Sequence, residues 1–225
     1  MVSRLLYLEP GQLRRLGQFF GLDLLLSAAL TLADGLSLTL FVKRAGAEQL
    51  PPFQGLAALA VLAATLIYML WAPRADSAAV FQLILSAPLL LFGLLWFAIH
   101  VARADNAWLG GLLIGRELAF ALVLLHFGSY LQDYFTRAEL NRVMPIVYAG
   151  GRVGGIAGGA MLEHLSGVWQ PIHLLWLATG LLASGMVGVW LIRRTVQQVP
   201  ESSGPGDAVT SGDSWRTMRT AATAI

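Results

Sequence analysis

The chain has 225 residues, of which 56% are hydrophobic and 12% are charged, and its formal net charge is +2. Because a soluble domain usually carries about 25% charged residues, this composition and a mean hydropathy of +0.66 indicate a protein that faces lipid. The absence of cysteine excludes a disulfide framework and thiolate metal sites, and the basic residues form no patch typical of nucleic-acid binding.

The N-terminal sequence "MVSRLLYLEPGQLRRL", residues 1–16, precedes the first long apolar stretch. We interpret it as a cytoplasmic amphipathic lead-in to a retained first span. A cleavable signal would have a shorter apolar core followed by a small-residue cleavage site.

Six apolar stretches follow the lead-in. A helix needs about 20 apolar residues to cross the ~30 Å hydrocarbon core of a bilayer, and long continuous runs are unlike the short alternating strands of an outer-membrane barrel. Short polar connections such as "APRADS" predict an all-α, polytopic up-and-down bundle in which consecutive helices are antiparallel neighbours. The predicted spans are residues 17–41, 53–72, 79–101, 107–131, 143–162 and 172–192.

Basic residues are concentrated at one set of predicted helix ends, and such residues favour the cytoplasmic side of a membrane. This bias predicts that both termini are cytoplasmic, with the bacterial inner membrane as the location. Residues 193–225 predict a flexible cytoplasmic tail rich in Pro, Gly, Ser and Asp, although its last part, "WRTMRTAATAI", looks like the start of a further helix. The cytoplasmic set is Arg4, Arg14, Arg15, Arg74, Arg137, Arg142, Arg193 and Arg194, and the opposite set is Lys43, Arg44 and Arg103.

Ionisable residues also lie inside the predicted spans, where a charge costs about 2.5–3.5 kcal/mol on insertion scales and needs a partner or water. They are Asp23 and Asp34 in the first span, Arg116 and Glu117 in the fourth, and Arg152 in the fifth. With a rise of ~1.5 Å per residue, Asp34 and Arg116 lie about 25 Å and 24 Å from the inner ends of their spans. The shared depth predicts that these two residues pair.

The other ionisable residues are expected around this pair. Asp23 precedes Asp34 by three turns on nearly the same face and would extend a polar stripe towards the cytoplasm. Glu117 is expected to point about 100° away from Arg116, and Arg152 to reach a cavity or pair with Glu117 or another acidic group. These residues are interpreted either as a substrate or proton site or as structural ion pairs that fix helix packing.

The stretch "NRVMPIVYAGGRVGGIAGGAML", residues 141–162, is rich in glycine. It lacks the preceding strand and the GxGxxG order of a dinucleotide-binding fingerprint. Its glycines instead recur every four residues in two ladders, a pattern that lets helices approach closely in a membrane. The predicted packing residues are Gly150, Gly154 and Gly158 in one ladder and Gly151, Gly155 and Gly159 in the other.

The longer segment "FTRAELNRVMPIVYAGGRVGGIAGGAML" resembles the loop and fifth helix of the ATP/ADP translocase-like branch of the major facilitator superfamily. Arg142, Pro145, Ala149 and the spaced glycines carry this resemblance. The segments "LADGLSLTLFVKRAGAEQLP" and "LIYMLWAPRADSAAV" are similar to that branch's first outer loop and its connection between the second and third helices.

This resemblance implies a transporter whose full form has two six-helix halves, with this chain corresponding to the N-terminal half. In such a fold the first and fourth helices line the central cavity, so an Asp34–Arg116 pair would face the transport path. We expect Arg116 to bind an anionic substrate or its counter-ion, and Asp34 to modulate the charge of Arg116.

The sequence contains no nucleophile–base constellation or phosphate loop, and its histidines match no metal-ligand spacing. We therefore expect no enzyme activity, cofactor or metal. Three hypotheses remain: half of a secondary transporter for an organic anion such as a nucleotide, a self-sufficient six-helix membrane protein that works as a homodimer, and a truncated or structural membrane protein without transport. The expected partners are the lipid bilayer, an anionic small molecule, and a second six-helix half or a second copy.

Overall fold

The computed structural model describes residues 10–100, 107–196 and 198, which form helices and short connections without any β-strand. The predicted all-α fold class is therefore confirmed for this part of the chain. Two connections contain short 3-10 helices, Ala47–Gln49 and Ala72–Arg74. The long helices are α1 (Pro10–Ala45), α2 (Leu50–Trp71), α3 (Ser77–His100), α4 (Ala107–Gln132), α5 (Arg137–Ser166) and α6 (Pro171–Thr195).

Local sequence sets several of these helix boundaries. Gly46 has a φ of 89° after the end of α1, a conformation that glycine adopts without the steric cost of a Cβ atom. At the start of α5, the Thr136 hydroxyl accepts a hydrogen bond from the Glu139 backbone N–H, and the Glu139 carboxylate accepts one from the Thr136 N–H. This capping box satisfies two backbone donors that the helix cannot satisfy itself.

Two helices begin more than one turn before their predicted spans. α1 begins at Pro10, so residues 10–16 of the predicted lead-in belong to the first helix, and α5 begins before residue 143. Both additions contain polar and charged residues, which a search for apolar stretches passes over. Residues 1–9 of the lead-in, and residues 199–225 of the predicted tail with "WRTMRTAATAI", lie outside the described residues.

Five described segments are long and apolar enough to cross a membrane, which is compatible with an integral membrane protein. α5 is not among them, because its glycines and charged residues make it less hydrophobic than the other long helices. The count of six spans therefore stays a prediction. The five segments are Gly11–Ala45, Ala47–Arg74, Ser77–Leu94, Trp108–Gln132 and His173–Thr195.

Contacts between helices give their directions. α5 runs parallel to α1, because Gly150 lies against Phe20 and Gly158, two turns later, lies against Ala28. α4 runs antiparallel to α1, and α2 runs parallel to α4, so successive helices alternate in direction as predicted. The contacts that define these directions are Phe19–Tyr130 and Asp34–Arg116 for α1 with α4, and Phe53–Gly110 and Tyr68–His126 for α2 with α4.

The prediction that consecutive helices are neighbours is wrong for most of the bundle. α1 packs most extensively on α5 and also contacts α6 and α4, while α2 packs on α4, and α3 packs on α4 and α6. Within the described residues, α3 and α4 are the only consecutive pair that packs extensively. A short loop fixes where the next helix begins, but the fit of side chains along the helices decides which of them pack together. As a result, α5, α1, α4 and α2 form one row, and α6 and α3 form a second row behind it.

We call the end of the bundle at which α1 begins the near end, and the opposite end the far end. An aromatic cluster fills the core close to the near end. The ring centroid of Phe19 lies 5.8 Å from that of Tyr130 and 5.3 Å from that of Tyr134. The buried Tyr130 hydroxyl donates a hydrogen bond to the Val189 carbonyl of α6 at 3.3 Å. The cluster thereby holds α1, α4 and α6 together on the near-end side of Asp34 and Arg116.

Candidate functional site

Three ionisable side chains meet at the seam between α1 and α4. The Arg116 guanidinium on α4 forms ion pairs with the Asp34 carboxylate on α1 and, at 3.1 Å, with the Glu117 carboxylate. The Arg116 side chain is only 8% exposed, whereas those of Asp34 and Glu117 are 52% and 42% exposed. The structure thus brings together the two residues that the sequence placed at one depth, with the cation inside and the carboxylates outside.

Glu117 departs from the expected arrangement. Neighbouring residues leave a helix about 100° apart, so Glu117 was expected to turn away from Arg116, with Arg152 as one of its partners. Its carboxylate instead accepts a hydrogen bond from the Arg116 guanidinium, because two long side chains can converge although their Cβ atoms diverge. Arg152 is exposed, and the part of the chain that the structure describes gives it no ion pair.

The charge of this cluster limits what can bind to it. With all three groups ionised, its net charge is −1, and its most exposed atoms belong to carboxylates. An anion reaches the Arg116 guanidinium only when a carboxylate moves aside or binds a proton. A cation or a proton meets the carboxylates directly.

One ladder of glycines allows α5 to approach the backbone of α1. Gly150, Gly154 and Gly158 are all buried. A Cβ atom at Gly150 would lie 2.6 Å from the Phe20 carbonyl oxygen, and one at Gly158 would lie 2.5 Å from the Ala28 carbonyl oxygen. Since real side chains do not come this close to backbone, the contact requires glycine.

The second ladder diverges from α1, which corrects the prediction of one broad packing stripe. A Cβ atom at Gly151 would lie 2.5 Å from Oδ2 of Asp23, and one at Gly155 would lie 3.6 Å from the Thr31 hydroxyl, an ordinary contact. At Gly159 it would meet nothing within 4 Å. The second ladder therefore faces the polar side of α1 and opens towards the far end.

Asp23 lies on the same side of α1 as Asp34 but is only 6% exposed. The sequence predicted a polar stripe that continues along this side of α1, and the structure corrects it, because α5 covers α1 at the depth of Asp23. The Asp23 Oδ2 atom is buried and has no hydrogen-bond partner among the described residues. The two aspartates thus occupy different environments within one helix.

Tyr148 connects α5 to α4 across the polar side of α1, a role that sequence reasoning missed. Its hydroxyl would lie 3.3 Å from a Cβ atom at Gly128, and its ring centroid is 6.3 Å from that of Phe127. Arg152 follows one helical turn after Tyr148 on the same side of α5. The four-residue spacing of Tyr148 and Arg152 was the sequence signal that could have shown that both residues lie on this side of α5. We use the name polar groove for the surface formed by Ser27, Thr31, Asp34, Arg116, Glu117, Tyr148 and Arg152.

His126 is a further buried polar residue to which the sequence assigned no partner. It is 2% exposed, its Nε2 lies 2.8 Å from the Ser77 carbonyl oxygen, and its Nδ1 lies 2.8 Å from the Tyr68 hydroxyl. Because a carbonyl can only accept, Nε2 carries the proton and Nδ1 accepts from Tyr68. Both ring nitrogens are therefore used in linking α4 to α2 and to the start of α3.

A scan of the sequence against protein-family models matched no family, and searches of the curated proteins and of the solved structures also found no match. The resemblance to the ATP/ADP translocase-like branch accordingly stays a prediction from the sequence.

Proposed function

We propose that this chain is one six-helix half of a secondary transporter of the major facilitator type, which moves an organic anion, such as a nucleotide, by alternating access. One observation carries the proposal: half-exposed carboxylates lie on a buried arginine at the seam of two helices that are apolar enough to cross a membrane. Facing lipid, each charge would cost about 2.5–3.5 kcal/mol on insertion scales. A water-filled path along the polar groove removes this cost.

In this proposal the near end is cytoplasmic in a bacterial inner membrane, in line with the distribution of arginine and lysine. α5 is then the sixth membrane-spanning helix, although it is less hydrophobic than the other long helices. Its glycine ladder follows the backbone of α1 in parallel over two turns, so α5 enters the membrane as part of a packed pair. Close packing of small residues favours such pairs in lipid.

The polar groove lies on the row α5–α1–α4–α2, and it needs a cover that separates it from lipid. We propose that a second six-helix half provides this cover, because substrate sites in such transporters lie between two repeats. A second copy of this chain is the alternative occupant, as expected for a self-sufficient homodimer.

The anion is proposed to meet Arg152 first and Arg116 afterwards. Arg152 is exposed and has no ion pair within the described part of the chain, whereas Arg116 is held by two carboxylates. Release of Asp34 or Glu117 from Arg116 would then accompany binding. Phosphate and carboxylate groups suit this role because guanidinium groups bind them in a bidentate geometry.

Thiol accessibility tests the water-filled path, and the chain has no cysteine of its own. Thr31→Cys places a thiol in the polar groove, and Leu90→Cys, a matched control on α3 that is 73% exposed, places one on the second row. A charged, membrane-impermeant thiol reagent should modify Thr31→Cys in cells and in inverted vesicles, and Leu90→Cys in neither. If the reagent failed to modify either thiol, a water-filled path along α1 would be contradicted.

Uptake tests the substrate class. The complex purified from its own membrane is reconstituted into liposomes, and entry of radiolabelled ATP is measured. Arg116→Gln should abolish uptake while the protein still folds, and unchanged uptake by this variant would contradict the assigned role of Arg116.

Native mass spectrometry of the same preparation identifies the protein that covers the polar groove. A second six-helix chain, or a longer product that contains this one, supports the transporter half. A clean homodimer supports the self-sufficient protein, and a lone monomer without ligand supports a truncated or structural one.

A further inference from the structure

Asp23 is a buried carboxyl group that the proposed anion path does not use. It lies on α1 at the contact with α5, where Gly151 leaves just enough space for its Oδ2 atom. The residue is 6% exposed, and Oδ2 has no hydrogen-bond partner in the described part of the chain. The Ser27 hydroxyl, 3.0 Å from the position of a Cβ atom at Gly151, is its polar neighbour one turn along α1.

No cation neutralises this carboxyl group within the described residues. α1 packs against α4, α5 and α6, and none of them supplies an ion pair to Asp23. The titratable side chain that faces it is Tyr148 on α5, which is neutral at physiological pH. Arg152 follows Gly151 on α5 but is exposed and forms no ion pair with Asp23 in the described part of the chain, and Arg116 is already held by Asp34 and Glu117.

We propose that Asp23 is a proton-binding site, occupied while α1 and α5 are packed together. An ionised carboxylate that is cut off from water and from any cation is costly, and a protein group in this position takes up a proton instead. The neutral carboxyl group fits against Gly151 without a counter-ion. Ionisation requires water, and water reaches Oδ2 only when α5 moves away from α1.

The proton and the helix contact are therefore linked. Any ligand that binds one of two arrangements more tightly shifts the population towards that arrangement. The packed arrangement binds the proton, so it is favoured at low pH and is lost as the pH rises and Asp23 ionises. Use of this link to drive transport rests on the proposed function, whereas the proton site itself does not.

Infrared spectroscopy of the purified full-length chain in lipid nanodiscs tests the site without any transport. A protonated carboxyl group has a C=O stretching band that is separate from those of carboxylates and amides. At mildly acidic pH the spectrum should contain this band, Asp23→Asn should lose it, and Asp34→Asn should retain it because Asp34 is ionised against Arg116. Asp23→Asn preserves the size of the side chain, so its folding can be compared directly with the unsubstituted chain.

A spectrum in which Asp23→Asn loses no such band at mildly acidic pH would overturn the proposal. Loss of the band on addition of sodium chloride at constant pH would also overturn it, because Asp23 would then bind a metal cation in place of the proton. An intact band in a chain that transports nothing would leave the proton site standing and remove only the proposed function.

The linked motion has its own measurement. Spin labels on cysteines introduced at Arg14 of α1 and Asn141 of α5, both exposed, report the distance between the two helices at the near end. Raising the pH should lengthen this distance in the chain with Asp23 and leave it short in the same double-labelled chain with Asp23→Asn. An identical response in the two chains would overturn the link between the proton and the helix contact.

Discussion

Gly154 is the position at which an added methyl group should most disturb the contact between α1 and α5. A Cβ atom there would lie 2.8 Å from the carbonyl carbon and 2.9 Å from the Cα atom of Leu24. Non-bonded carbon atoms prefer a separation of about 3.5–4.0 Å, so Gly154→Ala must push the helices apart locally by about 1 Å. The opposing atoms are backbone and cannot rotate away.

The expected cost can be set against a gain in helix propensity. Overpacking of a well-packed contact typically costs about 1–3 kcal/mol, and alanine favours a helix over glycine by ~1 kcal/mol. Gly159→Ala is the matched control, because it makes the same change in the same helix where nothing lies within 4 Å. We expect Gly154→Ala to be less stable than Gly159→Ala by at least ~1–3 kcal/mol, with Gly159→Ala as stable as the unsubstituted chain or more so.

The free energy of unfolding can be measured by titrating the purified protein from a mild detergent into sodium dodecyl sulfate while following tryptophan fluorescence. The chain contains 7 tryptophans, which gives a strong signal. If Gly154→Ala and Gly159→Ala unfold at the same detergent composition, the close approach of the two backbones does not contribute to stability, and the reasoning from the glycine ladder fails.

Two further predictions use the same titration. His126→Phe should lower the free energy of unfolding by about 1–3 kcal/mol, since it removes the hydrogen-bond partner of both the Ser77 carbonyl and the Tyr68 hydroxyl, which are part-buried. Tyr68→Phe removes one of these two hydrogen bonds and should cost less than His126→Phe, and a loss greater than that of His126→Phe would contradict the assigned hydrogen bonds. Arg193→Ala should cost less than ~1 kcal/mol, because Arg193 and Asp76, although 3.1 Å apart, are 50% and 44% exposed, and a greater loss would show that this pair is shielded from solvent.

Part of the candidate site could be predicted from the sequence because helix geometry is regular. A constant rise per residue was enough to place Asp34 and Arg116 at one depth in antiparallel helices, and the structure has them in an ion pair. The four-residue spacing of Gly150, Gly154 and Gly158 likewise indicated a close contact, since it repeats on one side of a helix.

The rest could not be predicted because it depends on which helices meet. The sequence of α5 contains the glycines but does not specify that α1 is their partner, so the burial of Asp23 beneath Gly151 was not foreseen. The predicted direction of Glu117 was wrong for a different reason. The direction of a Cβ atom does not determine the position of the carboxylate at the end of a long, flexible side chain, and the Glu117 carboxylate accepts a hydrogen bond from Arg116. His126 gave no signal, since its partners Tyr68 and Ser77 come from two other helices.

The ion pair between Asp34 and Arg116 also has a consequence for how the chain is made. At a translation rate of ~5–20 residues per second, Arg116 leaves the ribosome on the order of 4–16 s after Asp34. Throughout that interval the first helix carries a carboxylate whose partner has not been synthesised, so it must remain beside the insertion machinery or hold a proton. In the proposed membrane-spanning chain the ion pair can therefore form only after the fourth helix arrives, and the fifth helix, synthesised later still, then closes over Asp23.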